Sequence, residues 1–173
     1  MTDPLPHAAG DRRHTTLGSP VGDLTLVSDG AHLVGLYMTD QRHRPEETTF
    51  GPRADDVTPF AAARGQLAEY FAGERTAFDL PLAPAGSEFQ RRVWAALLTI
   101  PYGHTWSYGE LATRIGNPRA SRAVGLANGR NPIGIVVPCH RVVGSGGSLT
   151  GYGGGLERKR LLLDLERAAL AGA

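Results

Sequence analysis

Cys139 is the single cysteine among 173 residues, and it stands in Pro138-Cys139-His140-Arg141-Val142-Val143 behind the apolar run Ile133 to Val137. A thiol of ordinary pKa, about 8.5, is mostly protonated at neutral pH, so a nucleophilic cysteine needs a base or a positive field beside it. His140 and Arg141 are adjacent. Neighbours on a strand point to opposite faces, so direct cooperation of Cys139 with His140 requires a turn or a bridging water, and Pro138 suits a turn. A histidine base needs an orienting acceptor, for which the last helix offers Glu157, Asp164 and Glu166. Glu166 lies a helical step from Leu162 and Leu163 and so can border the core, but periodicity alone does not choose among the three. The competing role for Cys139 is that of a small core residue closing a buried strand. A lone cysteine excludes an internal disulfide and leaves too few thiolates for a structural zinc site. Neither metal nor cofactor is expected.

Two further segments offer chemistry. Gly144-Ser145-Gly146-Gly147 and Gly151-Tyr152-Gly153-Gly154-Gly155 read either as flexible loops or as a backbone lid whose amides donate to a flat ligand. They lack a Walker-type Gly-Lys-Ser/Thr, so phosphate cradling is not favoured. Ser107-Tyr108-Gly109-Glu110 has a capping-box pattern that opens a short helix ending at Gly116. Asn117-Pro118 then starts a second helix, over about Pro118 to Asn128, with Asn at the cap and Pro in the first turn. Helix, tight turn, helix is the helix-turn-helix outline. The second helix carries Arg119 and Arg122 with the small residues Ala120, Ser121, Ala123, Gly125 and Ala127, which suit either close approach to a polyanion or tight helix packing.

Other elements must hold these in place. Ser87-Glu88-Phe89-Gln90 repeats the capping pattern and opens a helix to about Thr99, with Phe89, Val93, Ala96, Leu97 and Ile100 as its buried stripe. The last helix runs from about Leu156 to Ala169 and buries Leu161, Leu162 and Leu165. In the first half, Leu24, Leu26 and Leu33, Leu36 flank Asp29-Gly30, which predicts a hairpin with a type I′ turn. Gln41 to Asp56 is a polar loop. Thr58-Pro59 caps a helix with Phe60, Ala63, Leu67 and Phe71 on one face, ending at Gly73, and Ala77 to Leu82 is a short strand. Pro81, Pro84 and Gly86 mark a domain boundary, giving a unit over 1–83, of which 1–11 is a mobile lead-in, and a second over 84–173.

Charge divides along the same line. Residues 1–86 carry 7 basic and 12 acidic side chains, residues 87–173 carry 11 and 5, and Leu111 to Leu156 holds five Arg and no acid. The formal +1 thus conceals an acidic half and a basic half suited to a polyanion. No apolar run approaches a membrane span and the N-terminus lacks a signal-peptide core, so the cytoplasm is the expected location.

The series Ser107-Tyr108-Gly109-Glu110-Leu111-Ala112, Gly116-Asn117-Pro118, Arg122-Ala123-Val124-Gly125, Asn128, Asn131-Pro132, Pro138-Cys139-His140-Arg141-Val142-Val143 and Gly151-Tyr152-Gly153-Gly154 closely resembles the methylated-DNA–protein-cysteine methyltransferases, the O6-alkylguanine-DNA alkyltransferases. The resemblance covers most of 87–168 and extends more weakly into the first half. It implies a ribonuclease H-like α/β unit with a small antiparallel sheet, then a mostly helical, winged-helix-like domain with a helix-turn-helix. It implies double-stranded DNA bearing O6-alkylguanine, with O4-alkylthymine as a second candidate substrate, and a monomer that can bind cooperatively along DNA. Cys139 matches the alkyl acceptor, His140 the water-linked base and Glu166 the carboxylate that orients it. Asn131 matches the side chain tying the recognition helix to the active-site turn. Tyr108 matches the residue that helps rotate the nucleotide and donates to the purine, and Arg122 the finger filling the vacated stack, with Ala123 and Asn128 on the same helix. The Val142 carbonyl and Gly153 amide match groups reading the guanine edge, Tyr152 walls the pocket and Ser145 meets the DNA backbone. Some relatives carry a hydroxyl residue at the position of Gly153, and some bind zinc in the first half, where this chain has no cysteine. Three rivals remain: a non-enzymatic alkylated-DNA sensor, which would lack Cys139; a turnover hydrolase using Cys139, His140 and Glu166; and a plain helix-turn-helix regulator.

Overall fold

In the computed structural model, residues 5–172 are described. Three antiparallel strands form the first sheet: β1 (Arg13–Leu17), β2 (Leu24–Ser28) and β3 (Leu33–Met38), in that order. Leu17 pairs with Leu24 and Leu26 with Leu36, with an irregularity at Val27/Ser28. β2 and β3 are buried throughout because both faces are covered. Leu24, Leu26, Leu36 and Met38 face the main core, while Val27, Val34 and Tyr37 pack with Phe50 and Ala83 in a smaller cluster. Tyr37 stacks on Phe50 at 5.3 Å.

The expected hairpin forms, but its turn is wider than two residues. The chain loops from Asp29 to His32, only Gly30 of the central pair has positive φ, and the Asp29 carboxylate accepts from the amides of Ala31 and His32. That side-chain acceptor replaces the second left-handed residue a type I′ turn demands. It also accepts from the amide of Ala9. Of the expected lead-in, residues 1–4 lie outside the described residues; in the remainder Leu5 packs on the core and His7 bonds Arg91.

α1 (Phe60–Phe71) starts at Pro59 without a side-chain cap, so Thr58 does not act as expected. At its C-terminal end the fully buried aromatic is Tyr70 rather than Phe71. Strand β1 was not foreseen, and 77–82 forms no strand: its end docks on β3 through Leu33 N to Pro81 O and Ala83 N to Leu33 O. Pro81 and Pro84 remove the amides a continuous ladder would need.

Four helices follow. α2 (Glu88–Leu97) and α3 (Tyr108–Arg114) both carry the reciprocal capping box, on Ser87 with Gln90 and on Ser107 with Glu110. α2 buries Val93, Trp94 and Leu97, with Phe89 and Ala96 only partly covered, and Trp94 donates its indole N–H to the Ala127 carbonyl at 2.8 Å. α4 (Ser121–Gly129) begins three residues later than the Asn-Pro pattern predicts, since Asn117 closes a turn with Ala120 and leaves Pro118 and Arg119 outside the helix. α5 is Leu156–Ala171 and buries Lys159, Leu162, Leu163 and Glu166. Between them β4 (Trp106–Ser107) pairs in parallel with β5 (Val142–Val143), two residues each.

The two halves share one core. Phe60, Leu67 and Tyr70 of α1 lie in the same cluster as Val93, Leu111, Val124, Val137 and Leu162. Edge strand β3 is continued by the stretch that leads to Cys139, through Leu36 N to Pro132 O at 2.9 Å and Gly134 N to Leu36 O at 3.2 Å. The sheet therefore sets the position of the reactive segment.

The two helix starts make a paired test. Ser87→Ala removes a working cap and should cost about 1 kcal/mol in urea unfolding. Thr58→Ala, which removes an exposed side chain that caps nothing, should stay within about 0.5 kcal/mol. Equal losses would contradict the assigned caps.

Candidate active site

Cys139 opens a single 3-10 turn, Cys139–Arg141, reached from Pro138. The turn is what lets consecutive residues act on one centre, because 3-10 geometry does not alternate side chains across a sheet. All three of its residues are buried. The His140 Nε2 lies 2.6 Å from Glu166 Oε2, and Arg141 donates Nε to Oε1 at 2.8 Å and Nη2 to Oε2 at 3.1 Å. Tyr70 donates its hydroxyl to Oε2 at 2.6 Å and the Gly103 amide reaches Oε1 at 3.1 Å. One fully buried carboxylate thus ties α1, the loop after α2, the reactive turn and α5.

Protonation follows from these contacts. Burial works against the charged form of Glu166, but the hydrogen bonds and charges of His140 and Arg141 outweigh it and hold the carboxyl far below its usual range. Burial likewise depresses His140, with Glu166 opposing, so the imidazole is neutral at rest. With Nε2 facing a carboxylate, its proton belongs there, and Nδ1 is left as the free base. Nδ1 is buried and bonded to no protein atom. Burial raises the Cys139 thiol, against the pull of an Asn131 hydrogen bond and the Lys159 charge. The thiol is therefore protonated at rest.

Asn131 is buried and braces the approach to this turn. Its amide donates to Val137 O at 2.8 Å, and its carbonyl oxygen accepts from Ile133 N at 3.0 Å. Its own N–H bonds the carbonyl of Asn128 at the end of α4. Asn128 points its amide toward the Cys139 carbonyl at 3.4 Å, with its Oδ1 buried and unpaired. A cavity of about 20 Å³ adjoins Cys139, lined by Gln41, Asn128, Asn131, Tyr152, Gly153 and Gly154 among others. That volume suits a single water.

The glycine segment walls the cavity. At Gly154 a Cβ would stand 2.6 Å from Met38 Sδ and 2.7 Å from the Tyr152 ring, so only glycine fits. At Gly153 a Cβ would meet Gln41 and Arg42 at 3.5 Å or more, so a hydroxyl residue could be housed. The Gly153 carbonyl accepts from Arg42 N at 2.8 Å, which ties the wall to the first half. Tyr108 sits at the start of α3 with its ring against Gly125 of α4, and its hydroxyl lies 3.5 Å from Thr150 Oγ1. Arg122 and Ala123 are exposed on α4, together with Leu126 at 70%. Arg122 and Leu126, one turn apart, form the outer face of the helix-turn-helix made by α3 and α4, while Val124 and Ala127 pack inward. Ser145 is exposed in a second 3-10 turn, Ser145–Gly147.

The structure thus gathers Cys139, His140, Glu166, Asn131, Asn128, Val142, Tyr152 and Gly153 into one neighbourhood and places Tyr108, Arg122, Ala123 and Ser145 on its outer side. Sequence reasoning did not single out Tyr70, Gly103, Gln41, or Lys159, which is fully buried and donates to Val142 O. For Tyr70 and Lys159 the helical spacing of buried positions was an available signal; for Gly103 and Gln41 there was none. No group of three His, Cys, Asp or Glu placed to hold a metal occurs among the described residues.

Two acid-labile contributions to stability follow from the depressed pKa values. In each, the folded state binds fewer protons than the unfolded chain. The His140 contribution is complete above pH 6.5 and drains below it; the Glu166 contribution is complete above 4.5 and is lost as pH falls further. Glu166→Gln leaves Arg141 buried without its partner and should cost about 3–5 kcal/mol at pH 7. The gap to the parent should narrow below pH 4.5 in thermal melts. Tyr70→Phe, which withdraws one donor from the carboxylate, should cost about 1–3 kcal/mol.

Comparison with known proteins bears on both halves. Residues 13–84 match the family described as 6-O-methylguanine DNA methyltransferase, ribonuclease-like domain, and residues 88–168 match its DNA binding domain. The methylated-DNA–protein-cysteine methyltransferase of Mycobacterium tuberculosis is 56% identical over 155 residues, covering 90% of this chain and 92% of its own. That of Methanosarcina barkeri is 60% identical over 148 residues, covering 86% and 92%. The crystal structure of Mycobacterium tuberculosis OGT in complex with DNA superposes with a TM-score of 0.85 at 55% identity, over 91% of this chain and 94% of that one. A carboxylate-oriented histidine beside a lone buried cysteine, carried behind a helix-turn-helix and matched along both halves, places the chain in the 6-O-methylguanine DNA methyltransferase family.

Proposed function

We propose that this protein repairs DNA by direct reversal, moving the alkyl group of O6-alkylguanine irreversibly onto Cys139 in a single turnover. The observation that carries the reading is the buried Cys139–Arg141 turn, in which a neutral histidine with a free Nδ1 is fixed by Glu166 beside the only thiol of the chain.

An alkyl group within the base stack is out of reach of a thiol held in the protein interior, so the nucleotide must leave the duplex, at a cost of a few kcal/mol. The outer face of α4 suits that task. Ala123 lets the helix approach the duplex, and Arg122 supplies a planar, permanently charged side chain to fill the gap. The extruded purine needs more room than a one-water cavity, so the glycine segment 151–154 must swing outward as it enters. The Val142 carbonyl and Gly153 amide then read the guanine edge against Tyr152, while Ser145 holds the backbone.

In the transfer itself Cys139 gives its proton, through one water, to His140 Nδ1, and Glu166 stabilises the imidazolium. The thiolate forms a bond to the alkyl carbon as the carbon–O6 bond breaks, and the electron pair leaves on guanine. Tyr108 donates a proton to the purine and recovers one from solvent, to which His140 returns its own. Water does not readily displace sulfur from an alkyl carbon, so the thioether stays. No step calls for a cofactor. In this division of labour residues 1–83 support the active turn, through Tyr70 and the β3 edge, and residues 84–173 bind DNA and carry the chemistry. No helix among the described residues is long and apolar enough to cross a membrane, and a DNA-repair role fits the cytoplasm.

Incubation with a duplex containing O6-methylguanine should add one methyl to Cys139 by intact mass and peptide mapping, with one substrate consumed per protein. Turnover beyond one equivalent would favour a hydrolase, and an unmodified thiol a sensor or regulator. Arg122→Ala should slow repair of duplex substrate at least about tenfold while leaving the reaction with free O6-benzylguanine near the parent rate; equal losses on both would remove the finger role.

A further inference from the structure

Seventeen of the eighteen basic residues of this chain are arginine, and the eighteenth is Lys159, the one lysine, which is fully buried. It lies on the inner face of α5 with Leu162, Leu163 and Glu166. A buried ammonium is costly unless a carboxylate neutralises it. Among the described residues Lys159 has no such partner: its Nζ donates to two backbone carbonyls, Val142 O at 2.5 Å and Thr150 O at 2.9 Å. Among the described residues the nearby carboxylate, Glu166, is already engaged by Arg141, His140 and Tyr70.

The position of those two carbonyls is informative. Val142 directly follows the Cys139–Arg141 turn, and Thr150 directly precedes the glycine segment that walls the cavity. An ammonium has three donors, and two are spent on joining these edges. The charge then has one ionisable group of opposite sign to act on, because the Lys159 cation and the Cys139 thiolate attract each other. Arginine's charge at position 141 is cancelled by Glu166, and His140 is neutral at rest. In the resting site the carboxylate and guanidinium balance, which leaves Lys159 as the uncompensated positive charge around the thiol.

We propose that Lys159 is a positioning residue of alkyl transfer: its buried ammonium supplies the positive charge against which Cys139 ionises and fastens the start of the glycine segment to the edge of the reactive turn. Burial brings its own pKa down to about 8, so at neutral pH the charge is retained. The choice of lysine over the arginine used everywhere else follows, since a compact ammonium fits between two carbonyls where a guanidinium fork does not. The titratable and charged groups that act on it are Cys139 and His140 from the turn, with the Arg141–Glu166 pair beyond them.

The proposal rests on Cys139 being the acceptor, so its test reads the thiol directly rather than repair. The pH dependence of Cys139 modification by iodoacetamide is measured for the parent, Lys159→Gln and Lys159→Arg. Glutamine keeps two N–H donors for the same carbonyls and drops the charge; arginine keeps the charge and strains the fit. Lys159→Gln should lower the neutral-pH rate about tenfold, and Lys159→Arg should restore it. A Lys159→Gln profile that overlays the parent overturns the proposal, whatever happens to repair. If the variants do not fold, the unaltered chain still decides: its iodoacetamide rate should rise about tenfold per pH unit up to about pH 8 and then level off as Lys159 loses its charge, and an unbroken rise through that point would overturn the proposal.

Discussion

The carboxylate of Glu166 is the constraint on which the rest of this molecule turns. A fully buried anion is tolerated only where donors surround it, and here five converge on its two oxygens, from Tyr70, Gly103, His140 and twice from Arg141. The donors come from three pieces of the chain, α1, the loop after α2 and the reactive turn, and the carboxylate itself from a fourth, α5. Losing any one leaves the remainder imperfectly compensated, so the four elements are held in register by a shared electrostatic need rather than by shape alone. The same carboxylate fixes the tautomer of His140, which makes the structural anchor and the source of basicity one object.

That arrangement explains what the acidic first half contributes. Its charge is peripheral to the site, but Tyr70 reaches from α1 into the carboxylate, and the β3 edge carries the segment leading to Cys139 through Leu36. The Arg42 amide grips the glycine wall at Gly153. The first half is therefore a scaffold in contact with the reaction centre at three places, and the basic second half is free to present α4 outward. The charge imbalance between halves separates the face that meets a polyanion from the part that stays away from it.

The legibility of this in the sequence was uneven for physical reasons. Capping boxes at Ser87 and Ser107 are local, so their helices were placed correctly at the start. Asn117-Pro118 has equally good local chemistry, yet the turn it closes ends at Ala120, because the next helix must pack Val124 and Ala127 against Trp94. Strand β1 was missed because Arg13-His14-Thr15-Thr16-Leu17 has little apolar content and no apolar alternation, although it pairs with the next strand. The reactive turn was legible through its motif, whereas its orienting acid was named only through the family resemblance: by periodicity three carboxylates on one helix are equivalent until the donors that solvate one of them are known. For Tyr70 and Lys159 helical spacing could have shown that the positions are buried, but what each side chain bonds is seen only when its partner is in view.

Burying the nucleophile carries an apparent contradiction, because the environment that raises the Cys139 pKa also withholds the thiolate that must attack. For a protein that reacts once the contradiction resolves. A thiol kept protonated in a one-water cavity is protected from adventitious electrophiles and oxidants, whose reactions require thiolate and access. Premature modification of an acceptor that cannot be regenerated would waste the whole chain. In the proposed reaction, opening of the glycine wall to admit a base brings the electrophile and the purine's own hydrogen-bonding groups together with the imidazole already oriented by Glu166. Reactivity is then conditional on occupancy, and the burial that looks like an obstacle to catalysis is what reserves the single equivalent of thiol for the substrate that can pay its desolvation through contacts with the pocket.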